Sequence, residues 1–261
     1  MNILVLLAGV ADIRFPLHPL SLADGRIEEG GNARRLLSPF DEAALELALK
    51  LRDARPDTRI EVLVLGGANA ENLLRAVAAF RPDALRRLDL FPACPWDASM
   101  TAQQIATLLA TQGTAPDLLL IGREFGDLDE GSLPVRLASQ LGHPLFALAQ
   151  HAEWAGEQVR LLRERGAREE WLVLEAPLLA SVTNDKRNKL RHPLMKNVME
   201  AKRMSFDAVG APAPASTTLA LSELMPARAS ERGGDCRLLA GTPAQQAKEL
   251  LVWLTEQGVV A

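Results

Sequence analysis

Short, largely apolar runs alternate with longer amphipathic segments as far as about residue 182, and no other feature of the chain limits its possible folds so strongly. The runs are Ile3–Ala8 (ILVLLA), Ile60–Leu65 (IEVLVL), Leu85–Phe91 (LRRLDLF), Asp117–Ile121 (DLLLI), Pro144–Ala149 (PLFALA) and Pro177–Val182 (PLLASV). Apolar runs of this length suit strands buried on both faces. The segments between them carry helix signals. Ser38-Pro39 opens a helix with a good N-cap and a Pro at the first helical position, and Asp41 and Glu42 complement its positive end. Ala44, Leu45, Ala48, Leu49 and Leu51 follow at helical spacing. Asn69–Phe80 puts Leu73, Leu74, Val77 and Phe80 on one face and stops at Arg81-Pro82. Asp97–Gln112, with Ile105, Leu108 and Leu109 inward, is a third helix, and a helix of about ten residues ends at Leu141. Such alternation predicts parallel strands joined by right-handed crossovers, a doubly wound α/β fold with a mostly parallel sheet. Val159–Leu162 and Trp171–Leu174, on either side of Gly166, read as a hairpin.

The pattern changes after Val182. Asn184–Arg203 holds seven Lys/Arg (Lys186, Arg187, Lys189, Arg191, Lys196, Lys202 and Arg203) and two acids (Asp185 and Glu200), a local balance of +5 in a chain of formal net charge −4. Gly210–Thr218 (GAPAPASTT) reads as a linker, and Thr242-Pro243 opens a last amphipathic helix with Ala247, Leu250, Leu251 and Leu254. The expected division is an α/β domain over 1–206, with 184–203 as a basic loop inside it, and a linker with a C-terminal arm over 207–261.

Composition excludes several classes of function. The acidic balance argues against a general nucleic-acid binder, and no apolar run approaches the ~20 residues a membrane span needs. Cys94 and Cys236 allow at most one bridge and nothing resembles a signal peptide, so a reducing cytoplasm is the expected compartment. His18, His143, His151 and His192 are scattered without metal-ligand spacing. Neither phosphate-loop fingerprint is present, nor a nucleophile elbow, so those chemistries are set aside and no metal site is expected.

What remains are the loops at the carboxyl ends of the strands, where open α/β sheets bind ligands. These are Leu6–Gly9, Ser38–Asp41, Leu65–Asn69 and Gly122–Leu133. The last reads GREFGDLDEGSL and runs into a helix. Free N–H groups at a helix start can hold a phosphate, with Gly131 giving room and Ser132 a hydroxyl. A plain helix-capping turn with a solvated acidic rim fits the same residues, since Asp127, Asp129 and Glu130 repel an anion unless they point elsewhere.

Four stretches, taken in order, resemble the beta subunits of electron transfer flavoproteins. Ser38-Pro39-Phe40-Asp41-Glu42 is similar to that family's Asn-Pro-Phe-Asp/Glu-Glu helix start. Gly66-Gly67-Ala68-Asn69 with the following helix and Arg75 resembles its Gly-Pro-Ala-Gln turn. The Asp117–Pro144 block is similar to its nucleotide loop, and Asn197-Val198-Met199-Glu200-Ala201-Lys202 to its Asn-Ile-Met-Lys-Ala-Lys run. The resemblance implies an adenine-nucleotide alpha-hydrolase-like fold and a heterodimer with an alpha subunit that holds most of a shared FAD. It also implies AMP, or in some members a second FAD, in the beta subunit, with electrons passing from dehydrogenases to a quinone oxidoreductase or other acceptor. On the same grounds the nucleotide contacts would be Leu6, Ser38, Pro39, Phe40, Asp41, Leu65, Gly66, Gly122, Arg123, Asp127, Asp129, Gly131, Ser132 and Leu133. Leu194 and Met195, with Arg191 and Lys196 beside them, would dock onto partner dehydrogenases, and the C-terminal arm would wrap the alpha subunit.

The chain departs from the family where Gly131-Ser132-Leu133-Pro134 replaces Asn-Gln-Thr-Gly, Ala8-Gly9 replaces Lys-Arg, and Ser38 replaces Asn. These losses favour AMP or an empty pocket over a second FAD. Two further readings share the architecture: a regulatory adenine-nucleotide module of the universal-stress type, whose signature loops are missing here, and a homologue that has lost nucleotide binding.

Overall fold

The computed structural model describes residues 1–14, 21–23, 26–28, 34–66, 70–90, 97–113, 115–127, 131–173, 175–210, 222–223 and 238–259. The first elements are β1 (Asn2–Leu7), β2 (Val10–Ala11), β3 (Ser21–Ala23), β4 (Arg26–Glu28), β5 (Arg35–Leu36), α1 (Pro39–Ala54) and β6 (Arg59–Leu65). Next come α2 (Glu71–Ala78), β7 (Ala84–Asp89), α3 (Ala98–Gln112), β8 (Leu118–Gly122), α4 (Leu133–Leu141) and β9 (Leu145–Ala149). The chain continues with β10 (His151–Ala155), β11 (Gln158–Arg165), β12 (Arg168–Val173), β13 (Leu178–Val182), a 3-10 turn at Lys186–Asn188, α5 (Met195–Ala201), β14 (Ala208–Gly210) and α6 (Pro243–Glu256).

Seven strands make one parallel sheet in the order β14-β7-β6-β1-β8-β13-β9, the doubly wound arrangement expected from the alternation. β1 lies at the centre and shows why its run is apolar throughout. Ile3, Val5 and Leu7 enter one core with α1 and α2, while Leu4 and Leu6 enter a second with α3 and α4. Successive side chains of a strand point to opposite faces, so a strand covered on both sides must be apolar at every position.

The helix boundaries follow local chemistry. Ser38 Oγ accepts the Asp41 N–H at 3.0 Å, and Asp41 Oδ2 accepts the Ser38 N–H at 3.1 Å, a reciprocal cap at the start of α1. α1 ends at Arg55, whose extended backbone (φ −141, ψ 101) suits the residue before Pro56. Asp97 accepts the N–H groups of Ser99 and Met100, and Gly113 in the left-handed region closes α3.

Three features extend the sequence reading. The expected hairpin is two strands of a three-stranded antiparallel sheet, completed by β10. Residues 184–203, expected as a loop, contain α5 and the 3-10 turn. β14 pairs with Arg87–Asp89 of β7, so the sheet takes in residues beyond 206. The chain divides into two compact units, Met1–Glu223 and Leu224–Ala261. In the second, Thr242 and Gln245 cap α6 reciprocally. Among the described residues no helix is long and apolar enough to cross a membrane. Cys94, Cys236, His18 and nearly all of the 210–218 linker lie outside the described residues.

Candidate nucleotide site and docking segment

Strand order reverses at β1: β6 and β7 extend to one side, β8 and β13 to the other. At such a switch point the loops beyond the carboxyl ends of the two central strands diverge and leave a crevice. β1 delivers Ala8 and Gly9 there, β8 delivers Gly122–Asp127, β6 delivers Leu65 and Gly66, and α1 begins there at Ser38.

These segments are bonded to one another. Asp41 is fully buried, and besides capping α1 it accepts the N–H groups of Gly9 at 3.0 Å and Ala8 at 3.4 Å. Burial pushes its carboxyl up to about 6, against the pull of the Ser38, Gly9 and Ala8 donors. Gly9 has φ +66, and a Cβ on it would lie 2.6 Å from Leu73 Cδ2 and 2.9 Å from the Leu36 carbonyl oxygen, so only glycine fits this turn. Gly122 packs on the first turn of α1, and the Arg123 guanidinium lies 5.2 Å from the Phe40 ring centre. Asp127 turns its carboxylate onto the Ala11 N–H at 3.0 Å and onto Arg35 Nη1 at 3.2 Å. Its charge is thereby held by β2 and β5.

Most of the expected contact residues with described positions meet in this region: Ser38, Pro39, Phe40, Asp41, Gly122, Arg123 and Asp127. Gly131 reaches it as well, because a Cβ there would lie 3.3 Å from the Arg123 carbonyl oxygen. Ser132 precedes α4 without making a side-chain capping bond to it, and Leu133 is buried in the α3/α4 core. Leu6 is fully buried in that same core and supports the crevice from beneath. Leu65 and Gly66 follow the pairing of Leu7 with Val64, and the Gly66 N–H is used by the Leu88 carbonyl. Gly67, Asp129 and Glu130 lie outside the described residues. Ala8, Gly9 and Arg35 also lie at this crevice, although none of them is among the expected contacts; Gly9 is signalled in the sequence by a glycine directly after an apolar strand.

The second candidate region is the basic segment. α5 lays Val198 and Ala201 against Ala78 at the end of α2 and Ala79 just after it. Leu194 and Met195 are 71% and 73% exposed, a large apolar pair at the start of this helix. The local charge excess is met in part by acids from elsewhere in the chain, Glu164, Glu46 and Asp53. Arg187 pairs with Asp185 and Glu164 at 2.9 Å each, and Arg191 pairs with Glu46 at 2.9 Å and Asp53 at 2.5 Å. The Arg191 guanidinium is therefore tied to α1 while its side chain stays 38% exposed, whereas Lys196 is 81% exposed and lies 3.9 Å from Glu200. Among the described residues no group of three or more His, Cys, Asp or Glu is placed to hold a metal.

Comparison with known proteins identifies this architecture. The electron transfer flavoprotein domain matches residues 28–214. The chain is 31% identical over 188 residues to the electron transfer flavoprotein subunit beta of Megasphaera elsdenii, covering 69% of this chain and 68% of the relative. It is 28% identical over 213 residues to that of Syntrophomonas wolfei, covering 81% and 82%. The Bacillus subtilis subunit beta aligns with the whole of both chains at 26% identity. The chain thus belongs to the electron transfer flavoprotein family, on the side of its beta subunits.

Proposed function

We propose that this protein is the beta subunit of a heterodimeric electron transfer flavoprotein working in the cytoplasm, carrying electrons from dehydrogenases to a quinone oxidoreductase or another acceptor. The observation that carries the reading is the full-length similarity to a subunit beta, together with a switch-point crevice formed by the same segments that resemble that family's nucleotide contacts. An alpha subunit would hold most of the FAD, whose isoalloxazine supplies the electron chemistry when bound. The chain's own residues cover and position.

The described residues fit an adenine nucleotide. Asp127 is turned away toward Ala11 and Arg35, which removes one repulsive charge from an approaching phosphate. Ser38–Asp41, Gly122, Arg123 and Gly131–Leu133 would hold it, with Leu65 and Gly66 at the edge. AMP is favoured over a second FAD because the chain lacks the family's amide and threonine in this loop. Leu194 and Met195, with Lys196 beside them, form the contact proposed for dehydrogenases, and the 207–261 arm would wrap the alpha subunit.

Co-expression with an alpha-type chain tests the assignment. The purified pair is expected to show a flavin spectrum, and mass spectrometry of the denatured pair is expected to find one FAD with AMP or nothing further. A pair without flavin refutes the role. Two FAD per heterodimer refutes the ordering of nucleotides.

A further inference from the structure

The exposed pair Leu194–Met195 has no core of its own. Helices shorter than about 12 residues are marginal without tertiary support, and α5 has seven residues. Its support on the downstream side is Val198 and Ala201 against α2. Upstream the anchor is ionic. Arg191 places Nη2 2.9 Å from Glu46 Oε1 and Nε 3.1 Å from Oε2, so the guanidinium grips both carboxylate oxygens. Its backbone N–H also donates to Glu46 Oε2 at 3.2 Å, and Nη1 reaches Asp53 at 2.5 Å.

Glu46 is 4% exposed, and among the described residues every hydrogen bond to its carboxylate comes from Arg191. A carboxylate this deeply buried is unfavourable unless paired, and a planar two-toothed donor pairs it with a defined direction. Lys50, one turn along the same face of α1, donates to the Arg187 carbonyl, and Asn188 Nδ2 donates to the Gln150 carbonyl at 2.5 Å. The chain therefore enters the tip from a fixed point at residue 191 and leaves it at a fixed point at residue 198, with Leu194 and Met195 between the two.

Resting on the docking role proposed above, we infer that Arg191 and Glu46 are positioning residues: the two-toothed grip of Arg191 on the buried Glu46 carboxylate holds the Leu194–Met195 tip in the conformation that a dehydrogenase recognises, and Arg191 acts through Glu46 rather than through the partner. A tip held at both ends is already in its docking shape. Released at one end, it occupies that shape only part of the time, and apparent affinity falls by the same fraction.

The test uses the heterodimer with its alpha subunit and, as electron donor, a purified flavin dehydrogenase chosen because it reduces the wild-type pair. Arg191→Gln and the isosteric Glu46→Gln are each expected to raise the KM for the heterodimer about tenfold, the result of a docking conformation populated about a tenth of the time. Flavin content and kcat should stay unchanged, and amide exchange at residues 192–199 should quicken. Arg191→Lys, which keeps one ion pair, should recover most of the loss. Unchanged KM in both Gln variants, with a raised KM in a Leu194→Ala/Met195→Ala control, overturns the positioning role and leaves docking at the tip intact. If the control also leaves KM unchanged, docking at this tip is refuted and the positioning role with it. A fall in kcat with flavin loss would mark a general structural role and equally overturn the inference.

Discussion

Gly122 meets Phe40 so closely that a Cβ on the glycine would lie 2.9 Å from the Cβ of Phe40, and it would also lie 3.0 Å from the Glu124 carbonyl oxygen. The end of β8 and the first turn of α1 are thus in backbone contact at the crevice, and neither neighbour is the far end of a flexible side chain. Gly122→Ala is expected to destabilise the protein by ~1–3 kcal/mol, the usual cost of overpacking a close-packed site. It should also push Phe40 and Arg123 away from their present positions. Urea unfolding of the variant measures this; a midpoint equal to wild type would show that the junction has room the structure does not contain.

How much of this was legible beforehand depended on the distance in sequence between the interacting groups. Six of the seven strands of the parallel sheet and the Ser38 cap are written in runs of a few residues and formed where expected, whereas β14 was not anticipated. Glu46 and Arg191 lie 145 positions apart, and no local pattern says that an acid in the apolar face of α1 has a basic partner. The same holds for Asp127 and Arg35. The acidic rim looked hostile to an anion because the sequence does not show where a carboxylate points. β10 was missed because His-Ala-Glu-Trp-Ala carries little strand propensity of its own; pairing with β11 supplies it, and the Trp154 indole is satisfied by the Leu51 carbonyl at 2.9 Å. α5 was read as loop because seven residues are too few for a clear period, and its helix depends on packing against α2.

Asp41 gives the crevice a pH dependence whose sign can be worked out. Its carboxyl is raised from 3.8 to about 6 in the folded protein, so between those values the native state keeps a proton that the unfolded chain releases. Stability from this group is full below pH 4, falls as pH rises toward 6, and is level above it. The expected size is on the order of 2–3 kcal/mol. Asp41→Asn keeps the side-chain shape without the titration. Urea midpoints for the variant, relative to wild type, should therefore shift across pH 4–6 and run parallel above it. Parallel curves throughout would refute the raised carboxyl.

Leu194 and Met195 contribute almost nothing to the chain's own core, because both are more than two-thirds exposed. Replacing both with Ala should leave stability within about 0.5 kcal/mol, as for other surface changes. Flavin content of the heterodimer should also be unaffected. Electron uptake from the dehydrogenase should fall, since buried apolar anchors dominate the binding energy of docking surfaces. Stopped-flow reduction of the flavin reads this directly, and uptake at the wild-type rate would remove the tip from the docking role.

α6 presents four consecutive large apolar residues, Leu250, Leu251, Val252 and Trp253, between 44% and 54% exposed. At about 100° per residue these four spread around most of the helix at that level, more than one face can cover, and an exposed apolar patch of this kind marks a contact with a partner. In the proposed heterodimer that partner is the alpha subunit. Adding the alpha subunit should therefore shift and sharpen the fluorescence of Trp253, best read in a form where Trp96, Trp154 and Trp171 are replaced by Phe. Trp253→Glu should weaken assembly by tenfold or more, because a charge at a desolvated contact costs at least about 1.4 kcal/mol. The unfolding midpoint of the isolated chain should not move, since α6 is exposed in it. Size-exclusion chromatography across a dilution series separates the outcomes. Wild-type assembly of Trp253→Glu would mean that the arm does not carry the heterodimer contact.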